Sequence, residues 1–445
     1  MNELQELKTA AREIFDEALA AVDARRALLD AVEFDGTTLR VGDARFELRR
    51  DGPKVYSVAL GKAAAAMASA LDERLGEGLA AGVLSAPPSD LKLSERWRVY
   101  AGGHPLPNAE SMEAARAAFE LLRAADEAEA PVVFLVSGGG SAMLELPRDE
   151  RITLEDLRAA NRVLVACGAP IEEVNAVRRA LSAVKGGGLA ARAPRSAQAT
   201  LVVSDVAPGR AFDVASGPTL TAPPGALNVA GIVASYGLSS KLPSSVLRAV
   251  EEEGTRGPAQ TPPHSRRTFS VLLDNATACE AAVRAARTRG FAVEFAQDIV
   301  EQHVEKGAAE LVSRLLTLRA REGARGVCLI SGGEFSCPVR GDGTGGRNSE
   351  TALRVAFELE MNLRDDFLKH VVALCAGTDG IDGNSTAAGA LADETTLARA
   401  HAHGLDARRL LEESDSHTLF NLLGDSILTG PTGTNVRDLR ILLAV

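Results

Sequence analysis

The stretch PVVFLVSGGGSAM, residues 131–143, joins an apolar, β-branched run directly to three consecutive glycines between Ser137 and Ser141. The apolar run predicts a buried strand. Glycines after a strand let backbone N–H groups converge on an anion without obstruction by side chains. The stretch therefore predicts a strand that ends in an anion-binding loop.

The same succession of strand and helix extends over the chain. Strands are predicted at 55–60, 80–84, 131–136, 200–204, 269–273, 291–296, 326–330 and 371–376. Helices between them are predicted at 62–75, 109–127, 275–289 and 303–321. This alternation favours parallel sheets with helices on both faces. Because ligands of such sheets bind at the carboxyl ends of strands, we expect the site at that edge.

A charged segment rich in Pro and Gly, EEEGTRGPAQTPPHSRR, lies near 251–268 and predicts a domain boundary. We therefore expect one α/β domain over residues 1–240 and a second over 265–445. The final apolar run, DLRILLAV, could close a sheet in either domain, so the tail from about 425–445 is also considered for packing back on the first.

Composition restricts the classes of partner. The 445 residues allow two or three domains. A net charge of −11 and a pI near 5.3 do not favour binding to nucleic acid or anionic lipid, which are also negatively charged. The amphipathic N-terminus predicts a docking helix rather than a signal peptide, and no apolar run is long enough for a membrane span. We expect a cytoplasmic protein.

The five cysteines are scattered, without a CxxC pair, and indicate neither disulfides nor a metal site: Cys167, Cys279, Cys328, Cys337 and Cys375. Cys328 and Cys375 lie in apolar runs and are expected to be buried as small apolar residues.

Two glycine-rich loops can be compared with the dinucleotide-binding motif GxGxxG. At 138–143 the dinucleotide pattern GxGxxG fails, because Met143 takes the place of the third glycine. GDGTGG at 341–346 satisfies the pattern, but the strand before it is short and contains Pro338. The carboxylates about twenty residues further on precede the next strand instead of ending it.

Lys62 follows the strand VYSVAL at the start of an alanine-rich helix, although its context does not match a P-loop. Two interpretations stay open. Lys62 is either an exposed surface lysine or a cation placed to meet an anion that the helix N-terminus also favours. VKGGGLA at 184–190 is a second glycine-rich loop, with Lys185 beside it.

Carboxylates at strand ends provide candidate metal ligands, since Mg²⁺ prefers one or two carboxylates together with water and phosphate oxygens. The candidates are Asp205, Glu334, Asp379 and Asp382. Each is equally consistent with a turn or a helix cap. Arg347, at a glycine-rich helix start, could clamp an anion with two hydrogen bonds. His104 is a weaker candidate base, because the following Pro105 favours a structural role for that loop.

Six stretches, in order along the chain, resemble one family: LVSGGGSAMLELP, NAVRRALSAVKGGGLA, VVSDV with ASGPT, GGRNSETAL, GTDGIDG and LTGPTGTNVRDL. Together they resemble the glycerate 2-kinases, or class II glycerate kinases, of the MOFRL family, from about residue 5 to 445. The resemblance implies a Rossmann-like first domain with a mostly parallel sheet and a second α/β domain with a mixed sheet. It places the active site in the cleft between them and allows a homodimer.

The resemblance also implies ATP and Mg²⁺ as cofactors, D-glycerate as substrate and 2-phospho-D-glycerate as product. The family's key lysine corresponds to Lys62 and its key arginine to Arg347, which with Asp205 are the predicted catalytic residues. The predicted nucleotide-binding residues are Ser137, Gly138, Gly139, Gly140, Ser141, Lys185, Gly186 and Gly187. The predicted metal ligands are Asp205, Asp379 and Glu334. Which carboxylate binds metal and which orients the substrate hydroxyl stays open.

Several positions depart from the family pattern. Asn384, Ser385 and Thr386 stand where Pro-Thr-Asp is usual, so one acidic residue is missing near the predicted metal site. SDVAPGRAFD replaces SDVPGDD, GGRNSE replaces GGRNQE, and Arg437 stands where Asn is commoner. Two alternatives are therefore kept: a hydroxypyruvate reductase that uses NAD(P)H, and a nucleotide- or metabolite-binding protein that has lost catalysis.

Overall fold

The computed structural model describes residues 3–42, 44–48, 54–220, 227–255, 266–323, 325–362 and 370–445. The chain forms two compact units. The first unit comprises Ala24–Leu272, and the second unit combines Met1–Asp23 with Leu273–Val445.

The helices alternate with strands over most of the chain. The helices are α1 (Glu3–Ala21), α2 (Ala24–Ala31), α3 (Ala64–Leu75), α4 (Ala109–Glu127), α5 (Gly140–Met143), α6 (Leu154–Ala166), α7 (Ile171–Leu181), α8 (Val229–Ser235), α9 (Ser244–Thr255), α10 (Asn275–Thr288), α11 (Val304–Glu322), α12 (Arg347–Asn362), α13 (Thr396–Ala402), α14 (Ala407–Glu412) and α15 (Ser416–Leu423). The strands are β1 (Val32–Phe34), β2 (Thr38–Val41), β3 (Ala44–Glu47), β4 (Val55–Leu60), β5 (Leu79–Ala86), β6 (Trp97–Ala101), β7 (Val132–Ser137), β8 (Gln198–Val203), β9 (Arg267–Leu273), β10 (Ala292–Phe295), β11 (Val327–Gly333), β12 (Val371–Gly377), β13 (Gly389–Asp393), β14 (Ser426–Ile427) and β15 (Asp438–Ala444).

The main sheet of the first unit has the strand order β6-β5-β4-β7-β8-β9 among the described residues. The pairs β5/β6, β4/β5, β4/β7 and β7/β8 are all parallel. Every residue of β7 is buried, as expected for a central strand covered on both faces. The parallel α/β architecture predicted from the alternation of strands and helices is confirmed.

Helix α4 begins at the predicted residue because Asn108 and Ser111 form a reciprocal capping box at its N-terminus. Its alanine-rich face packs on strand side chains that include Val58, Leu60 and Phe134. Small side chains let the helix approach the sheet closely, which explains how a core with few aromatic residues is filled.

The second unit contains a mixed sheet with the order β10-β11-β15-β12-β13-β14. Strand β15, which comprises all of DLRILLAV except Val445, lies between β11 and β12 and is antiparallel to both. Strands β10 and β11 are parallel. The mixed sheet predicted for the second domain is confirmed, with the C-terminal strand at its centre.

The units differ from the predicted domain ranges at both ends of the chain. The boundary lies at Leu272 rather than near 240–265, because β9 extends the first sheet next to β8. Strand β15 of the tail is hydrogen-bonded to β11 and β12 of the second unit. Helix α1 also belongs to the second unit. The predicted linker falls largely on 256–265, outside the described residues.

Helix α1 docks through one apolar face and one cation. The side chains of Ile14 and Phe15 are fully buried in the core of the second unit. Lys8 Nζ lies 2.6 Å from Asp393 Oδ2 and 2.8 Å from Asp425 Oδ1. The predicted docking helix is therefore an integral part of this unit.

The position of GDGTGG in the fold bears on the dinucleotide-binding interpretation. GDGTGG at 341–346 is not a strand-to-helix turn, because residues 334–346 separate β11 from α12. This geometry does not match a dinucleotide-binding loop.

Across the described ranges, no helix combines the length and apolar character that crossing a membrane requires.

Candidate functional site

The carboxyl ends of β4 and β7 lie side by side, since Leu60 is paired with Val136. The chain then turns at Gly61, which has a positive φ of 111°. A Cβ at Gly61 would overlap the backbone and hydroxyl of Ser137. The Lys62 N–H donates to the Gly138 carbonyl at 2.8 Å, so the lysine is fixed to the glycine loop through the backbone.

The backbone of Gly139 lies directly beside the Lys62 side chain. Gly139 has a φ of 80°, a conformation that favours glycine. A Cβ there would lie 3.1 Å from His104 Cδ2 and 3.3 Å from Lys62 Cγ. The structure thus brings together the predicted lysine and the predicted glycine loop, and adds His104 to them.

The two serines of the loop have partners within the first unit. Ser137 is fully buried, and its hydroxyl accepts a hydrogen bond from the Ala63 N–H at 3.0 Å. It therefore joins the loop to the turn before α3. Ser141 Oγ lies 3.0 Å from Ser216 Oγ, which connects the loop to the ASGPT motif.

Lys185 lies beneath the glycine loop in a buried ion pair. Its side chain is only 2% exposed and contacts the carboxylate of Glu145. Lys185 Nζ also donates to the Ser141 carbonyl at 2.8 Å. Burial lowers the pKa of the Lys185 ammonium, and Glu145 opposes that shift. The side chain thus supports the loop from behind.

The second glycine loop packs on the ASGPT motif. The Gly186 N–H donates to the Ser216 carbonyl at 3.1 Å, and the Gly187 N–H donates to the Gly217 carbonyl at 2.7 Å. Ala215 and Ser216 both have positive φ, 51° and 62°, which is strained for residues with side chains. These bonds hold the strained segment in place, so these two N–H groups do not point toward an anion.

Arg347 starts α12 and is surrounded by acids of the second unit. Its Nε lies 2.5 Å from Asp438 Oδ2, and its Nη2 lies 2.7 Å from Glu334 Oε1. Burial alone would lower the pKa of Arg347, but the two carboxylates outweigh it and raise the pKa above its usual value. Asn348 Nδ2 donates to Asp438 Oδ1 at 3.0 Å and fixes that carboxylate.

Asp382 caps the same helix. Its carboxylate accepts hydrogen bonds from the Asn348 and Ser349 N–H groups at 2.9 and 2.8 Å. Burial raises its pKa, against the opposing effect of the Ser349 and Asn348 hydrogen bonds. Of the two interpretations open for this residue, the structure therefore favours the helix cap.

The altered segment GIDGNST has a structural explanation. Asn384 Oδ1 accepts from the Gly345 N–H at 2.8 Å, and Asn384 Nδ2 donates to the Gly343 carbonyl at 3.0 Å. Ser385 Oγ donates to the Asp382 carbonyl at 2.8 Å. The substituted residues thus tie GDGTGG to the loop that positions Arg347.

The glycines of LISGGEF serve packing rather than anion binding. The Gly333 N–H donates to Asn275 Oδ1 at 2.8 Å. The carbonyls of Gly332 and Gly333 accept from the guanidinium of Arg440, which is 1% exposed. Arg440 also lies over the Phe335 ring, 3.5 Å from its centre. This arrangement fixes the backbone that leads to Glu334.

The predicted metal ligands do not form a closed cage. In the part of the chain that the structure describes, no group of three His, Cys, Asp or Glu side chains has metal-site geometry. Oδ1 atoms of Asp379 and Asp438 lie 3.1 and 3.4 Å from the Cβ position of Gly377. Asp438 is already hydrogen-bonded by Arg347 and Asn348, so Asp379 is the candidate Mg²⁺ ligand of this pair, with the other ligands coming from water and phosphate. Asp205 follows β8 in the first unit.

Sequence reasoning did not single out several residues of these sites: Asp438, Asn348, Arg440 and Glu145. Asp438 lies at the end of the family-like stretch LTGPTGTNVRDL, and Arg440 directly follows it. A charged pair inside an apolar terminal strand is the signal that could have identified them.

The fold and these two sites define a class: a two-unit α/β protein with a lysine on a glycine-rich loop in one unit and a carboxylate-braced arginine in the other. Comparison with known families is more specific. Residues 10–251 match the domain of unknown function DUF4147, and residues 327–438 match the MOFRL family.

Relatives extend this match over nearly the full length. The chain is 34% identical to a glycerate 2-kinase of Pyrococcus horikoshii, covering 96% of this chain and 94% of the relative. It is also 34% identical to an Agrobacterium vitis protein named as a hydroxypyruvate reductase, covering 97% of this chain and 93% of that protein.

Among solved structures, the glycerate kinase of Thermotoga maritima superposes with a TM-score of 0.80 at 31% identity, covering 99% of this chain and 100% of that one. This chain therefore belongs to the glycerate kinase family that combines DUF4147 with MOFRL.

Proposed function

We propose that the protein transfers a phosphoryl group from ATP to the 2-hydroxyl of D-glycerate and releases 2-phospho-D-glycerate. The observation that carries this proposal is the placement of Lys62 against the bare backbone of the 138–140 loop, in a chain of the glycerate kinase family. The Pyrococcus horikoshii relative is named a glycerate 2-kinase, which supports the same reaction.

In the first unit, the glycine loop and Lys62 are proposed to bind phosphate. Gly138, Gly139 and Gly140 present backbone without side chains, and the first N–H groups of a helix have no partners within it. Lys62 adds a positive charge at the same place. In this proposal Ser137, Lys185, Gly186 and Gly187 hold the loop rather than contact the ligand, because their polar groups already bond within the chain.

In the second unit, Arg347 is proposed to bind the glycerate carboxylate or the transferring phosphoryl group. Among the described residues, its hydrogen bonds use Nε and Nη2, which leaves Nη1 for an anion. Asp438 and Glu334 hold the guanidinium in one orientation. A positioned cation of this kind stabilises the transition state without reorganisation during the reaction.

Mg²⁺ is the metal that the family implies, and the carboxylates present fit it. Asp379 and, in the first unit, Asp205 are the proposed ligands; Glu334 and Asp438 are both engaged by Arg347 and are proposed to hold its guanidinium in place. When bound, Mg²⁺ would neutralise phosphate oxygens. The active site between the domains, the cytoplasmic location and a homodimer stay predictions.

The test compares Lys62→Ala and Arg347→Ala with Lys92→Ala and Arg409→Ala, whose side chains lie at the surface. Loss of either proposed cation should reduce kcat/KM for D-glycerate by about 10²–10³-fold or more. The control variants should keep the wild-type rate. Near-normal turnover in both site variants would overturn the proposal.

The reductase alternative is not favoured. The formal fingerprint at 341–346 lies in a long loop, where no strand leads into it. NADH oxidation with hydroxypyruvate would restore that alternative. The altered GIDGNST segment, which had suggested lost catalysis, forms ordered contacts around the Arg347 helix instead.

A further inference from the structure

The loop between β6 and α4 is fixed at both ends. The Gly103 N–H and the Asn108 N–H both donate to Ser111 Oγ, at 3.0 and 3.1 Å. Asn108 Nδ2 donates to the Ala101 carbonyl at 2.8 Å. These bonds make one turn of α4 a rigid support for residues 102–108.

The start of this loop is pressed against the segment that follows the glycine loop. A Cβ at Gly102 would lie 2.5 Å from Ser85 Oγ and 2.6 Å from the Met143 carbonyl oxygen. Only a glycine accommodates so close an approach to backbone. Ser85 Oγ donates to that same carbonyl at 2.5 Å. The loop between β6 and α4 and the segment that follows the glycine loop are therefore held in a fixed position relative to each other.

This support places His104 at the face of Gly139. The imidazole Cδ2 lies 3.1 Å from the position that a Gly139 Cβ would occupy, on the same bare backbone that Lys62 contacts. The His104 residue is solvent-exposed. An exposed side chain on a rigid loop is accessible to a ligand in a defined position.

The three side chains nearest to Gly139 are His104, Lys62 and Met143. An ammonium has only donors and a thioether is a weak acceptor, whereas neutral imidazole has one donor and one acceptor. Of these three, His104 is the group suited to take a proton near neutral pH.

We propose that His104 is a further catalytic residue, which contacts the acceptor hydroxyl beside the glycine loop and takes its proton. The proposal rests on the proposed function. In the step, the bond between the ATP γ-phosphorus and its bridging oxygen breaks, and a bond forms between that phosphorus and the acceptor oxygen. The acceptor O–H bond breaks, its proton moves to the imidazole nitrogen, and ADP leaves with the bridging oxygen. The proton then passes to solvent.

The test uses the full chain with His104→Asn and His104→Ala, and His401→Asn as the matched control on the exposed surface of α13. Turnover of D-glycerate with ATP and Mg²⁺ is measured together with ATP affinity by calorimetry. Loss of a general base reduces catalysis by about 10²–10⁴-fold. We expect kcat to fall by about 10²-fold or more in both His104 variants while the Kd for ATP stays within about threefold. The control keeps the wild-type kcat.

Two outcomes would overturn the inference. A kcat within about threefold of wild type in either variant would show that His104 takes no essential proton. A loss of ATP affinity as large as the loss of kcat would show that the residue only supports the phosphate loop. If the wild-type protein itself did not phosphorylate glycerate, the proposed function would fail first and this inference with it.

Discussion

At the scale of single residues, the cations beside the glycine-rich loops differ in how deeply they are buried. Lys185 and Arg440 are almost fully buried and bond to backbone carbonyls, so they hold loops in place. Lys62 and Arg347, at the starts of helices, are only partly buried. Sequence reasoning assigned ligand-related roles to both Lys62 and Lys185, because burial and partners depend on contacts distant along the chain.

Replacing Arg440 by Met should destabilise the second unit. Its guanidinium bonds the carbonyls of Gly332 and Gly333, and the apolar replacement leaves them buried without donors. We expect the free energy of unfolding to fall by about 2–4 kcal/mol, seen as a lower midpoint of urea unfolding. Arg409→Met, which removes an exposed pair with Glu413, should cost less than about 1 kcal/mol. Equal midpoints for the two variants would contradict this account of Arg440.

At the scale of elements, the apolar runs were predicted well and the polar elements were not. Strands β4, β7 and β12 and helix α4 lie where periodicity and β-branched residues indicate them. The small sheet of β1, β2 and β3 was missed, since its strands carry many exposed charges. The partner of β9 was also missed, because pairing depends on the folded sheet and not on local pattern.

Helix α1 should depend on Lys8. Burial alone would raise the pKa of Asp393, but Lys8, Thr395 and Arg399 outweigh it and lower the pKa. The resulting stability is therefore present above the usual aspartate pKa of about 3.9 and lost as pH falls through the lowered value. Lys8→Met should lower the free energy of unfolding by about 3 kcal/mol at neutral pH and shift the midpoint of acid unfolding to a higher pH.

Circular dichroism during acid titration would check the Lys8 prediction. Lys306→Met is the matched control, because that lysine forms an exposed pair with Glu310 on α11. If both lysine variants unfolded at the pH of the wild type, the Lys8 contacts would not stabilise the docked helix.

At the scale of the whole molecule, both chain ends fold into the second unit: α1 from the start of the sequence and β15 from its end. The hydropathy pattern predicted both segments but not that they pack in the same unit, because no local signal indicates which distant segments come together. The two candidate cation sites stay predictions: Arg347 follows the two glycines of the family-like stretch GGRNSETAL, whereas Lys62 follows a strand and the single Gly61.

The double variant Lys62→Ala/Arg347→Ala tests whether both units serve one reaction. Residues that act in one transition state are strongly non-additive. We expect kcat/KM for D-glycerate in the double variant to fall by clearly less than the product of the two single losses. Strict multiplication of the two effects would indicate that the two cations act independently.

The most direct measurement is phosphorus NMR of the wild-type protein incubated with ATP, Mg²⁺ and D-glycerate. We expect a new monoester resonance that coincides with added 2-phosphoglycerate, with ADP formed in equal amount, and formation of this product slower by about 10²-fold or more with Lys62→Ala. A reaction that yields 3-phosphoglycerate, or ATP that stays intact beside glycerate, would contradict this expectation.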